Sequence, residues 1–221
     1  MGPDTRTRLI LAAMELFWEK GYASTSMADV LRRADLHGGS LYHFFPGKQD
    51  LLLAVLDFYC VGIHDQLLKP AWEGVQDPLE RVWALLALYR SHIVATDCFY
   101  GCPIGSLALE IHEPDPPVRE RLAANFENWT VAVQQCLDAV QWPVAVDTRR
   151  LAEFVLTTME GGVMLTRTYR DVAYFDRAIA ELRAYVDLLQ SPHPALSPRR
   201  GERVPKAGEG RVPPRRKRAR R

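Results

Sequence analysis

Hydrophobic residues recur along this chain with the 3.6-residue period of helices, and nowhere with the alternation of half-buried strands. Leu9, Ile10, Ala13, Leu16 and Phe17 fall on one face of a segment that starts near Asp4 or Thr5 and stops at Gly21. Ser26, with Asp29 three residues on, has the form of a capping box and opens a short helix through Ala34. A second short helix runs from about Gly38 to Phe44 or Phe45. Pro46-Gly47 breaks the chain, and Lys48 opens a longer apolar helix to about Leu68. Asp77-Pro78 and Asp115-Pro116 each set a capping aspartate before a proline suited to a first helical turn, and Asp147 is a third such cap. The pattern predicts further helices over about 79–96, 104–112, 117–140, 147–169 and 173–190. The expected fold class is all-α.

Composition narrows the class. Of 221 residues, 48% are hydrophobic and 25% charged, which excludes wholesale disorder and suits one or two domains. No run reaches the roughly 18 uninterrupted apolar residues of a membrane span; Leu51 to Ile63 contains Asp57. Leu9 to Trp18 is broken by Glu15 and does not read as an export signal, and Arg6 stands where a myristoylation motif needs Ser or Thr. Cys60, Cys98, Cys102 and Cys136 are too scattered for a disulfide framework. A cytoplasmic protein without membrane contact is expected. Residues 191–221 carry 11 Lys+Arg against two acidic residues, with six prolines, and should form a disordered basic tail. The rest of the chain is acidic, and its first fifty residues are near neutral.

Residues 25–52 carry the functional signal. Two short helices flank a tight turn at Asp35-Leu36-His37, with Gly38-Gly39 entering the second. That is helix-turn-helix spacing, in which the second helix enters a DNA groove by its N-terminal end. The glycines permit close backbone approach to phosphate. From the first helix through Gly21-Tyr22, Thr25-Ser26, Gly39-Ser40-Leu41-Tyr42, Phe45, Lys48 and Asp50-Leu51-Leu52, the segment resembles the TetR family of bacterial transcriptional regulators. The resemblance implies a three-helix DNA-binding domain over 1–50 and a helical effector-binding and dimerisation domain over 51–190. It implies that Thr25 or Ser26, Tyr42 and Lys48 reach phosphates, and that His37, Gly38, Gly39, Ser40 and His43 face base edges. Lys is frequent in the family where Gly38 stands, and His or Tyr where Phe44 stands. Arg32, Arg33, Arg6 or Arg8 would then carry more of the affinity.

The expected partners are double-stranded operator DNA, a second copy of the chain and a small organic effector; no cofactor or metal is expected. Apolar stripes on the last two helices fit a homodimer interface, through Phe154, Thr158, Gly161, Gly162, Thr166 and Tyr169 on the first and Phe175, Ile179, Leu182 and Val186 on the second. An aromatic-rich middle section suits an organic ligand, with Tyr59, His64, Trp83, Tyr89, His92, Phe99, Phe126, Trp129 and Met159 as candidate contacts; plain core packing is the alternative for each. Phe99 to Glu113, with its Gly-Cys-Pro, resembles the branch similar to LmrA and YxaF. Cys98 and Cys102 lack an adjacent base, so buried inert thiols are expected rather than a redox pair. Enzyme motifs fail: seven residues separate Gly39 from Gly47-Lys48, where a phosphate loop needs four. His112-Glu113 has no second His at metalloprotease spacing. The expected function is a ligand-responsive regulator, a repressor released from a palindromic operator; an activator or a constitutive DNA binder is the alternative.

Overall fold

In the computed structural model the described residues are 4–37, 39–111, 113 and 115–191. Gly38, His112 and the basic segment beyond Ser191 lie outside them. The elements are α1 (Thr5–Lys20), α2 (Met27–Arg33), α3 (Gly39–Phe44), α4 (Lys48–Ile63), a π-helical turn (His64–Leu68), α5 (Lys69–Trp72), α6 (Pro78–Ala95), α7 (Pro103–Glu110), α8 (Pro116–Asp138), α9 (Thr148–Tyr169) and α10 (Ala173–Gln190). Among the described residues there is no strand.

Local chemistry sets the N-terminal boundaries. The Asp4 carboxylate accepts the Thr7 N–H at 2.7 Å, and Gly21 ends α1 at φ +88°. Ser26 and Asp29 make both bonds of the capping box on α2. The turn into α3 bends through Asp35, a non-glycine residue in the left-handed region at φ +52°. Arg8 holds that turn from α1, donating to the Ala34 carbonyl at 2.6 Å and the Asp35 carbonyl at 3.2 Å. Beneath it Leu41 and Phe45 are buried in the core with Ile10, Leu16, Phe17, Val30 and Leu52.

α4, the π-helical turn and α5 form one nearly continuous rod of 25 residues, Lys48–Trp72. By length and composition alone the rod qualifies as a membrane span. Here Leu51, Leu52, Ala54, Val55 and Leu56 are buried, against α1 and α8, and Asp57 pairs with Arg121 of α8 at 2.9 Å. That is the pattern of a core helix.

Asp77 and Asp147 cap α6 and α9 through their carboxylates, accepting the Glu80 N–H at 2.8 Å and the Arg150 N–H at 3.1 Å. Asp115 does not cap α8 with its side chain. Pro116 and Pro117 leave no N–H in the first two helical positions, and the Asp115 carbonyl itself takes the Val118 N–H at 2.9 Å. α8 packs against α4, α6 and α9, and α9 lies along α10. Bidentate pairs from Arg149 to Glu127 and from Arg90 to Asp176 tie α9 to α8 and α6 to α10 at the surface.

Candidate functional site

α3 presents one face and buries the other. Leu41 is fully buried, whereas Tyr42 is 60% exposed and His43 and Phe44 beside it are exposed, ring edge to ring face at 5.0 Å. Gly39 and Ser40 form the first turn of α3, and His37, two residues before it, is exposed. This is the end of the helix that a groove-reading element presents. Gly38 lies outside the described residues.

Thr25 departs from expectation. It is buried, and its hydroxyl faces the Gly21 carbonyl at 2.7 Å and the Leu16 carbonyl at 3.3 Å. It locks the α1–α2 corner and has no path to a phosphate. Ser26 is exposed; its hydroxyl oxygen accepts the Asp29 N–H at 3.1 Å, which leaves the O–H free to donate. Of the arginines, Arg33 is held by Glu15 and Glu19, and Arg8 by the α2–α3 turn. Arg6 lies over the Phe45 ring at 5.4 Å. Arg32, 75% exposed and tethered only to Asp29, can swing to a backbone. Lys48 sits 4.2 Å over the Tyr22 ring and donates to the Ala23 carbonyl at 3.3 Å; burial pulls its ammonium below the usual value, against the opposing pull of Glu110.

Glu110, at the end of α7, reaches into this corner from the other half of the molecule. Its two oxygens accept the N–H groups of Tyr22 at 2.8 Å and Ala23 at 2.7 Å. Gly21 leaves room for it: a Cβ there would meet both oxygens at 3.0 Å. Trp18 makes a second bridge, donating its indole N–H to the Gly101 carbonyl at 2.8 Å and packing on Tyr100 at 4.5 Å between ring centres.

Trp18 also forms part of the wall of a cavity of about 270 Å³, enclosed by α4, the π-helical turn, α6, α8, α9 and the 100–104 segment. The expected contacts Tyr59, Tyr89, His92, Phe126, Trp129 and Met159 all line it. Three expected contacts do not. His64 projects outward beside Asp65 on the π-helical turn. Trp83 is buried elsewhere, its ring 4.6 Å from the Arg183 guanidinium of α10. Phe99 is 47% exposed beneath Arg170 and lines an open cleft on the far side of Gly101. Tyr100, from the same aromatic-rich stretch, also lines the cavity, and the cavity gains Trp18, Gln66, Cys102, Asn125 and Glu160, which sequence reasoning did not select. Two of them were signalled. Trp18 continues a second apolar stripe on α1 after Leu11 and Met14. Glu160 is a lone acid inside the apolar face of α9, between Leu156 and Val163.

Polar groups in this wall are strongly perturbed by burial. Desolvation pushes the Tyr59 and Tyr89 phenols well above their ordinary value. The Cys102 thiol is raised likewise, first by burial and then by Glu160, the opposite of a reactive thiolate. Burial also raises Glu160, whose carboxylate lies against the first turn of α7, where a Cβ on Gly105 would come within 2.2 Å of Oε2. Buried Oε1 of Glu160 and Nε1 of Trp129 have no hydrogen-bond partner. Among the described residues no group of His, Cys, Asp and Glu is arranged to hold a metal ion.

The dimer expectation divides by face. Gly162, Thr166, Phe175, Leu182 and Val186 are buried inside the protomer. They are the α9–α10 seam: a Cβ on Gly162 would meet the Phe175 ring at 3.2 Å, and Thr166 Oγ1 accepts the Phe175 N–H at 3.0 Å. The close helix approach at Gly162 is therefore intramolecular, while Gly161 faces open space. Ile179 and Thr158 are half-buried. Outward on the same helices stand Phe154, Leu165, Tyr169, Tyr185 and Leu188, each at least 40% exposed, with Phe154 and Tyr185 edge to face at 5.7 Å.

Comparison with known proteins agrees with this geometry. Residues 9–55 match the family of bacterial regulatory proteins of the TetR type, and residues 78–181 match the C-terminal domain of LmrA/YxaF-like transcriptional regulators. An HTH-type transcriptional regulator of Mycobacterium tuberculosis H37Rv is 33% identical over 184 residues, covering 80% of this chain and 92% of its own. LmrA of Bacillus subtilis, an HTH-type transcriptional regulator, is 28% identical over 170 residues, covering 76% and 89%. Among solved structures, a TetR regulatory protein of Rhodobacter sphaeroides shares the fold at TM-score 0.73 and 24% identity, over 81% of this chain and 97% of its own. The chain is a transcriptional regulator of the TetR family, with a TetR-type helix-turn-helix and an LmrA/YxaF-like C-terminal domain.

Proposed function

We propose that this regulator is a ligand-responsive repressor, acting as a homodimer on a two-fold operator and released when a small organic molecule fills the C-terminal cavity. The observation that carries the reading is Trp18. It belongs to α1 of the DNA-binding half, yet it is part of the cavity wall. A molecule entering that cavity touches the reading head directly.

Two further routes run from the same space. Glu110 ties α7 to the α1–α2 corner. α4 begins at Lys48 beside Ala23 and ends at the cavity, where Ile63 and Gln66 line the wall across a π-helical turn. Such turns often accompany functional sites, because the extra residue is a stored irregularity. Release requires that the ligand bind the DNA-incompetent arrangement more tightly than the competent one. Phe154, Gly161, Leu165, Tyr185 and Leu188 supply an apolar face for pairing two copies, and a two-fold dimer matches a two-fold operator. On the DNA, Tyr42, Ser26, Lys48 and Arg32 take phosphates and His37, Ser40 and His43 take base edges; Thr25 serves the fold instead.

A footprint on the DNA flanking the gene tests this. Two protected half-sites about 34 Å apart, one helical turn, are expected, lost in Tyr42→Ala and weakened by ligand. Protection that no aromatic or apolar compound weakens would favour a constitutive binder. No protection would overturn the reading.

A further inference from the structure

We propose that the cavity takes a lipophilic ammonium ion, an organic amine protonated at neutral pH, whose N–H donates to Glu160 Oε1 while its carbon skeleton lies among the aromatic walls. This rests on the effector reading above and names the chemistry of the molecule.

Glu160 is the residue to explain. α9 turns it inward, into a wall otherwise made of Leu156, Met159 and Val163. Its Oε2 packs on the Gly105 backbone, and Oε1 is buried without a partner. A buried acceptor left empty costs free energy, and a buried unpaired charge costs more. No Lys or Arg lines the cavity, whose other polar side chains include Gln66, His92 and Asn125; Glu160 also borders the open cleft lined by Lys20, Arg167 and Arg170, and inside the cavity its polar neighbour is the Cys102 thiol, a weak donor. The carboxylate also stands at the first turn of α7, where the helix dipole favours its ionised form. Burial makes charge on this carboxyl costly, and a cation placed against Oε1 would offset that cost. Rings suited to the rest of an organic cation surround the chamber: Trp18, Tyr59, Tyr89, Tyr100, Phe126 and Trp129. Aromatic faces attract cations most strongly where water is excluded. A neutral hydroxyl would satisfy the oxygen but leave the charge unpaired.

The test uses the full chain and two matched probes. One is 1-naphthylmethyl-dimethylamine, protonated at neutral pH; the other is 1-isobutylnaphthalene, its uncharged isostere. Calorimetric titration is expected to show the amine binding at least about tenfold more tightly, the increment of a charge-assisted hydrogen bond. In Glu160→Gln that preference should collapse below about threefold, with binding of the isostere unchanged. The unchanged isostere also shows that the variant is folded. Equal binding of both probes to the native chain, or a preference that survives Glu160→Gln, overturns the proposal. If the isostere binds and releases DNA as well as the amine does, the effector reading stands and the cation does not. If neither probe binds, both fail.

Discussion

The two ends of this molecule treat their carboxylates in opposite ways. In the reading head, Asp29 accepts from the Ser26 N–H and from Lys20, which holds it well below the usual carboxylate range, and Arg33 holds Glu19 low. In the cavity, burial pushes Glu160 up, and one of its oxygens meets nothing. The head is self-sufficient: even the buried Thr25 hydroxyl has a carbonyl to donate to. The cavity leaves a buried acceptor and a buried donor unmet. A site that closes its hydrogen bonds internally is serving the fold. One that leaves them open inside a packed core is arranged for a molecule from outside.

The strongest way to sharpen the contrast is to damage the head alone. Leu41→Ala removes the fully buried anchor of α3 and should cost about 2–5 kcal/mol. Operator binding is expected to vanish in a gel-shift assay while the naphthyl amine still binds. Loss of both together would show that the cavity depends on the head more than the contrast allows.

A second, smaller effect is electrostatic. The folded state holds the Glu160 proton above the ordinary value of 4.5. Below that pH the group is protonated in both states and contributes no difference. As pH rises past 4.5 the unfolded chain gives up its proton first, so stability falls with pH until the folded value is passed. Asp29 runs the other way: its contribution is complete above 3.8 and is lost as pH falls. Urea midpoints should therefore show Glu160→Gln gaining on the native chain from pH 4.5 upward. A gain that is flat across pH, or that grows toward acid, contradicts the assignment.

The smallest expected effects separate two adjacent hydroxyls. Thr25→Val loses a buried hydrogen bond, about 1 kcal/mol, and should lower the melting temperature without changing operator affinity. Ser26→Ala loses an N-cap, again about 1 kcal/mol, and should also weaken operator binding. Reversed behaviour would restore Thr25 to the DNA surface.

Much of this was legible in the sequence, for identifiable reasons. Helix starts at Asp4, Ser26, Asp77 and Asp147 follow from one side chain meeting one N–H within a turn, which is local. At Asp115 the side chain does not cap, because the Val118 N–H three residues on goes to the Asp115 carbonyl instead. Half of the dimer stripe was misplaced because helical periodicity shows that Gly162, Phe175 and Leu182 are apolar, not which helix covers them. Periodicity likewise says nothing of which aromatic residues meet across sequence, so it does not tell that Trp18 lines the cavity and that Trp83 and Phe99 do not. Glu160 was visible as an acid on an apolar face, but its meaning depends on Gly105 and Cys102, more than fifty residues away.

The central claim is that cavity and reading head form one coupled device, joined at Trp18, Glu110 and α4. Coupling must be reciprocal, so it can be read from the ligand side. Whichever naphthyl probe binds more tightly should be titrated into the protein alone and into the protein saturated with operator duplex. The account predicts at least about fivefold weaker probe binding on the operator complex, the lower end of ordinary allosteric coupling. Equal affinities would mean that the cavity and the DNA are not linked.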